Sequence, residues 1–325
     1  MSALLEVRGL KTHFHTRSGV VKAVDGVDFT LNEGEVLGLV GESGSGKTVA
    51  SFSILGLIDP PGRIAEGSIR FKGEELVGAS PARMRQLRGH DIAMVFQDPM
   101  MTLTPVLKIE TQMVETVLAH ENVSRKAARG RSVEVLRRVG IPSPEDRIGA
   151  YPHQFSGGMR QRVAIAISLL HAPALILADE PTTALDVTIQ GQIIAEMQQL
   201  VAETGTAMIW VSHDLAVVET IADSVAVMYA GRIVEHGPSG RVIGAPAHPY
   251  TEGLLNSIPS RTTPGQRLNQ IPGMAPSVLH LPPGCPFSPR CRYAEPACET
   301  PPPIASVGPD HMARCIAPLN AEAAL

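Results

Sequence analysis

The sequence predicts an α/β fold: a largely parallel sheet interleaved with helices, a helical insert within that core and a loop-rich C-terminal extension. Three observations predict it. Apolar runs of strand length alternate with stretches of helical spacing. One such run is joined to its helix by a glycine-rich loop. Thirteen of the 27 prolines crowd between Pro259 and Pro309. Alternating strands and helices build parallel sheets. Proline removes a backbone donor and opposes both helix and sheet interiors, so the proline-rich end must be rich in loops.

Taken in order, Leu4 to Val7 and Val27 to Leu31 predict strands around a polar, glycine-containing turn. Val36–Leu37–Gly38–Leu39–Val40 is continuously apolar, as a strand buried on both faces requires. A helix is expected from Thr48 to about Leu57, after the glycine-rich loop. Between about Asp98 and Tyr151 the pattern changes: Val106 to His120 and Ser124 to Val139 show helical spacing with no strand between them. The basic residues Arg125, Lys126, Arg129, Arg131, Arg137 and Arg138 form a solvated helix face there. Ala174 to Ala178 and Ala207 to Val211 predict further buried strands, separated by a helix from Val187 to Val201. Val225 to Tyr229 and Arg232 to Glu235 predict a hairpin closed at Ala230–Gly231. The boundaries expected are a main domain over 1–240, a helical subdomain over about 98–155, and an extension over 241–325.

The bulk properties narrow the choice of class. A formal net charge of -4 gives no electrostatic case for nucleic acid as the main partner, although a charge this small excludes little. No stretch approaches the roughly 18 to 20 uninterrupted apolar residues that span a bilayer. The start, with charges among its first eleven residues, does not read as a secretory signal. The chain is therefore expected in the cytoplasm, reaching a membrane only by docking to another protein. Its four cysteines, Cys285, Cys291, Cys298 and Cys315, all fall in the last 41 residues. In a reducing compartment that clustering argues for a metal or cluster site over disulfides.

Gly41–Glu42–Ser43–Gly44–Ser45–Gly46–Lys47–Thr48 fits GxxxxGK[ST], between a buried strand and a helix. The glycines let backbone N–H groups converge on phosphate oxygens, helped by the positive end of the helix. Lys47 is expected to reach the β- and γ-phosphates of a nucleoside triphosphate, and the Thr48 hydroxyl to ligate Mg²⁺. Leu175 to Glu180 is an apolar strand ending in two carboxylates. Asp179 is placed for Mg²⁺, and Glu180 as the general base that polarises attacking water. Ser156–Gly157–Gly158 opens a second helix whose N-terminus suits an anion.

With its flanks, His153–Gln154–Phe155–Ser156–Gly157–Gly158–Met159–Arg160–Gln161–Arg162 resembles the signature of ABC-family ATPases, and of the oligopeptide/dipeptide importer ATPases in particular. That resemblance implies an ABC-type (RecA-like) P-loop ATPase core. Gln97 takes the Q-loop position, touching Mg²⁺ or the attacking water; Ala184–Leu185–Asp186 matches the D-loop and His213 the switch histidine. Asp98–Pro99–Met100–Met101–Thr102–Leu103–Thr104–Pro105 is similar to the subfamily's DPMTSLNP, with Thr104 where Asn is usual. Phe14 or His15 lies where the family stacks an aromatic on adenine. The family arrangement pairs two ATPase subunits head to tail, Ser156 of each facing the partner's γ-phosphate. The further partners implied are two transmembrane permease subunits and a periplasmic or extracellular solute-binding protein. The subfamily usually pairs two non-identical ATPases, and the expected location is the cytoplasmic face of the inner membrane. Cys285–Pro286–Phe287–Ser288–Pro289–Arg290–Cys291, with Cys298 and Cys315, resembles the cluster-bearing extension of the same subfamily, which implies a [4Fe–4S] cluster, zinc and unligated buried thiols being the alternatives. A soluble ABC ATPase of nucleic-acid maintenance or translation is the competing function. It conflicts with the lack of coiled-coil, zinc-hook or second ATPase segments.

Overall fold

A computed structural model describes residues 3–183, 185–258 and 270–320. In chain order the strands are β1 Leu5–Thr16, β2 Gly19–Leu31, β3 Val36–Val40, β4 Gly62–Phe71, β5 Glu74–Glu75, β6 Ile92–Val95, β7 Leu175–Asp179, β8 Ala207–Ser212, β9 Ser224–Tyr229, β10 Arg232–Pro238, β11 Ile304–Gly308 and β12 His311–Arg314. The helices are α1 Lys47–Ile54, α2 Pro81–Leu87, α3 Ile109–Leu118, α4 Arg125–Arg138, α5 Pro144–Arg147, α6 Gly157–Leu169, α7 Val187–Thr204, α8 Leu215–Ile221, α9 Ser239–Gly244 and α10 Pro249–Asn256. They fall into two compact units. One holds the residues up to 31, 36–78 and those from 210 onward; the other holds 32–35 and 79–209.

In the first unit, β1 lies between β2 and β4 in an antiparallel sheet of order β2-β1-β4-β5. Leu5 stands opposite both Leu31 and Phe71, and all three are buried. The expected long turn between Val7 and Val27 is absent: both strands continue, to Thr16 and from Gly19. A sheet with one wetted face tolerates the polar residues that disguised them. Thr12, fully buried there, is satisfied by the Ser53 hydroxyl of α1 at 2.7 Å.

The same unit contains β3, all five residues of which are buried, parallel to β9 with Leu37 opposite Ser224. Helix α8 packs on this strand so closely that a Cβ on Gly38 would lie 2.2 Å from Val218 Cγ1. The expected hairpin forms between β9 and β10. Beyond it, β12 joins β10 and β11 joins β12, giving the order β3-β9-β10-β12-β11. The C-terminal segment is thus less loop-like than its prolines suggest, since it contributes a helix and a strand pair.

In the second unit β6 and β7 run parallel, from Ile92 opposite Leu175 to Val95 opposite Ala178. Helices α3 and α4 pack together, burying Ile109, Met113, Val114 and Val117 of α3 and Ala128, Val135 and Leu136 of α4. Ser124 caps α4 by accepting from the Ala127 N–H at 3.2 Å. The basic face of α4 is laced to carboxylates, Arg125 to Glu115 at 2.8 Å and Arg131 to Glu121. Both helices are shorter than expected, and α2 was not expected at all. Among the described residues no helix is long and apolar enough to cross a membrane.

Candidate nucleotide site

Backbone geometry shapes the loop between β3 and α1. Gly41 has φ +154° and Gly46 has φ +106°, both in the region that side chains rarely adopt. Space is equally restrictive: a Cβ on Gly41 would lie 2.1 Å from Met228 O, and one on Gly46 would lie 2.2 Å from Ala23 O. Ser43 and Gly44 form the exposed rim, whereas Ser45 is buried. Lys47, 5 % exposed, turns its ammonium back along the loop and donates to Gly41 O at 2.7 Å and Glu42 O at 3.0 Å. Its charge is thereby held over the loop. Thr48, the next residue of α1, is exposed.

Two contacts of this loop come from the C-terminal segment and were not anticipated. The Glu42 N–H donates to the Tyr250 hydroxyl at 2.8 Å. The Glu42 carboxylate accepts from both terminal nitrogens of Arg290, at 2.7 and 2.9 Å. Arg290 had been visible in the sequence only as a member of the cysteine-bearing stretch, and no local signal links positions 248 residues apart. His213, also of the first unit, is exposed just beyond β8. Phe14 is half-buried in β1 with its ring across Gly62, where a Cβ would come within 2.5 Å of Phe14 Cε1; the neighbouring His15 is exposed.

The second unit brings Gln97 and Glu180 together. Gln97, exposed past the end of β6, donates from Nε2 to Glu180 Oε2 at 3.2 Å. The Thr183 hydroxyl donates to the same oxygen at 3.1 Å, a partner the sequence reading missed. Asp179 ends β7 and is 6 % exposed. Glu180 then turns into the left-handed region at φ +46°. A non-glycine residue there costs on the order of 1–2 kcal/mol, and such strain collects at functional sites. The consequence is a carboxylate projecting from the strand end and steadied by two neutral donors.

Ser156 caps α6, its hydroxyl accepting from the Met159 N–H at 3.3 Å. Gly157 is open to its surroundings, but a Cβ on Gly158 would approach Ile189 Cγ2 of α7 to 2.9 Å. The start of α6 therefore lies against the first turn of α7, itself capped by Asp186, whose Oδ1 accepts from the Ile189 N–H at 3.0 Å. Ala184 of the expected D-loop lies outside the described residues.

The cysteines require a correction. Cys285, Cys291, Cys298 and Cys315 line one cavity with His248 and Phe287. Among the described residues, however, no three His, Cys, Asp or Glu side chains are arranged to hold a metal ion. The expected iron–sulfur ligation, and the zinc alternative, are overturned. Thiolates are the ligands such sites need, and burial acts against them. It pushes the thiols of Cys285 and Cys291 up and that of Cys315 to about 11. What secures the segment instead is hydrogen bonding: Arg290 on Glu42, Cys285 N–H on Cys298 O at 2.9 Å, and a buried network at Glu235.

A glycine-strained phosphate loop after a buried strand, with a carboxylate pair closing a parallel strand, defines a P-loop ATPase cassette. The ABC transporter family profile matches residues 24–183, and that of the oligopeptide/dipeptide transporter C-terminal region matches 234–298. A peptide import ATP-binding protein of Brucella melitensis is 49 % identical over 326 aligned residues, covering 96 % of each chain. The oligopeptide transport ATP-binding protein OppD of Haemophilus influenzae is 46 % identical, covering 97 % of each. Among solved structures, a dimeric ATP-binding cassette in a post-hydrolysis state with ADP and phosphate aligns with a TM-score of 0.66 at 25 % identity, covering 72 % of this chain and 98 % of that one. CbiO1 of Clostridium perfringens aligns at 0.64 and 26 % identity, covering 75 % of this chain and 92 % of that one. The chain belongs to the ABC ATPases of the oligopeptide/dipeptide transporter family.

Proposed function

We propose that this chain hydrolyses ATP at the Gly41–Thr48 loop, with Glu180 as general base, to drive the import of di- or oligopeptides. The observation that carries the catalytic assignment is the Gln97–Glu180 contact at 3.2 Å, made by a glutamate held at φ +46°. Glu180 accepts the proton as water attacks; Gln97 and Thr183 fix which way its carboxylate faces. His213 steadies the γ-phosphate and the attacking water. Lys47 offers the charge for the β- and γ-phosphates, and Gly41, Ser43, Gly44, Ser45 and Gly46 shape the cradle. Phe14, or His15 beside it, supplies the face for adenine. Thr48, Gln97 and Asp179 present a hydroxyl, an amide and a carboxylate, the hard oxygen donors that suit Mg²⁺. That ion would neutralise charge on the β- and γ-phosphates.

As an ABC importer ATPase, the chain is a peripheral subunit at the cytoplasmic face of the membrane, working with permeases and a solute-binding protein. The finer composition we infer is two permease subunits and a second, non-identical ATPase, whose ATP meets Ser156–Gly157–Gly158 of this chain. Exposed Met101, Val106 and Leu107, directly after Gln97, offer an apolar surface for a membrane subunit within the helical subdomain of 98–155. The domain over 1–240 then carries the chemistry and the extension over 241–325 braces it. Transport accounts for this surface, and nucleic acid has no part in the reading. In the assembled transporter, Glu180→Gln should lower kcat for ATP at least a hundredfold while ATP still binds, because the amide keeps the shape and loses the base. Near-normal steady-state hydrolysis in that variant refutes the assignment.

A further inference from the structure

We propose that Arg290 is a positioning residue for the phosphate loop, through which the C-terminal extension sets the affinity for ATP. The inference rests on reading Gly41–Thr48 as the ATP site. Glu42 places a carboxylate in the loop that cradles a polyanion. Left alone, that charge opposes the phosphates. Arg290 cancels it with a two-pronged pair, Nη1 to Oε2 at 2.7 Å and Nη2 to Oε1 at 2.9 Å. The fork fixes orientation as well as charge, which a single ammonium does not.

Arg290 is itself held from several sides. It is 7 % exposed. Its Nε donates to Pro272 O at 2.9 Å, and its guanidinium lies 5.9 Å from the Tyr229 ring centroid and 6.0 Å from that of Phe287. Tyr229 packs on Tyr250 at 4.6 Å between centroids, and the Tyr250 hydroxyl accepts the Glu42 N–H. Both the backbone and the side chain of Glu42 are thus fixed by residues that the extension supplies or orders. Farther along, Ala275, Pro276 and Val278 of the extension line one shallow cavity with Glu42, Ser43 and Gly44. Because Arg290 lies in the short loop between Cys285 and Cys291, displacing that loop releases the Glu42 charge toward the nucleotide.

The test measures ATP hydrolysis by the assembled transporter. Arg290→Ala should raise KM for ATP roughly tenfold, a coupling of ordinary size between sites, with kcat changed less than twofold. Adding Glu42→Gln to that variant should recover most of the loss, because it removes the carboxylate that Arg290 neutralises. A merely structural arginine gives no such rescue. Arg290→Lys, which keeps the charge and loses the fork, should raise KM to an intermediate value, and it decides the matter if the alanine variant does not assemble. An unchanged KM in either single variant, or a double variant no better than Arg290→Ala, overturns the proposal. Lys47→Ala separates the two readings: if it binds ATP normally, the phosphate-loop assignment fails whatever Arg290 does.

Discussion

Replacing Glu235 with alanine should loosen the C-terminal segment from the sheet. Glu235 is 1 % exposed at the centre of β10, and its carboxylate accepts three hydrogen bonds. They come from Ala247 N at 2.7 Å, His248 N at 2.8 Å and His311 Nε2 at 2.8 Å. Those donors stand at the entrance to α10 and at the start of β12, so one side chain ties both to β10. A hydrogen bond to a charged group contributes about 1.5–3 kcal/mol. Three that share one acceptor do not add independently, and truncating one partner of a buried network typically costs about 3–5 kcal/mol. For a unit of this size that corresponds to a fall in Tm of roughly 6–20 °C. His311→Ala removes one of the three bonds and should cost distinctly less. Thermal unfolding followed by circular dichroism gives the first number. Limited proteolysis of the folded protein should show faster cleavage between residues 245 and 320 in Glu235→Ala. An unchanged Tm and an unchanged digestion pattern refute the hub, and so does a His311→Ala variant as destabilised as Glu235→Ala.

Two further outcomes follow from other sites. Gly46→Ala should cost the loop its shape, since the added methyl would sit 2.2 Å from Ala23 O at φ +106°; nucleotide titration should show affinity reduced at least tenfold, the loss expected from strain and overpacking of about 2 kcal/mol or more. The pH dependence of stability should carry the mark of His248, which is fully buried and lowered to about 4 by that burial. Its Nδ1 already accepts the Tyr250 N–H at 3.0 Å, so protonation also breaks the cap of α10. The unfolded chain binds this proton near pH 6.5 and the folded one only near 4. The stabilisation is therefore complete above about 6.5, falls as pH drops through that window, and reaches a loss of about 3 kcal/mol near pH 4. His248→Gln should flatten the slope of Tm against pH over this range, and parallel slopes for the two proteins rule the histidine out.

Much of this was legible from local pattern. A fully buried strand such as Val36–Val40 leaves no choice of face, so its apolar run is unambiguous. The Gly41–Thr48 loop and the Asp179–Glu180 strand end are equally local, because each is a turn spelled within eight residues. The β1–β2 sheet was misread because polar residues from Arg8 to Gly26 sit on strands whose other face alone is buried. The extension is loop-rich as its prolines indicate, but α10 and the β11–β12 pair were not visible in them, for a different reason. Proline counts report which regular structure is discouraged, and they say nothing of a distant acceptor such as Glu235 that organises the remainder. The four cysteines misled in the same way, since closeness in sequence carries no information about ionisation. Burial raises the thiols of Cys285, Cys291 and Cys315 and so favours their neutral form.

Several buried groups of the extension are satisfied by partners in the core sheet or in the loop after β3. Glu235 organises the backbone at Ala247 and His248, and Tyr250, two residues on, reaches Glu42. Arg290 reaches the same residue from the other side of the extension. A brace needed only for stability has no reason to end on the loop proposed to hold phosphate. Surface charges of the α4 kind, such as Arg125 on Glu115, are cheap to make and contribute about 0.2–1 kcal/mol. A desolvated fork on the one carboxylate of the phosphate loop is costly unless every donor is used, and the Arg290 Nε, Nη1 and Nη2 atoms are all engaged. Its location therefore argues that the extension acts on nucleotide binding, with Glu42 as the point of contact.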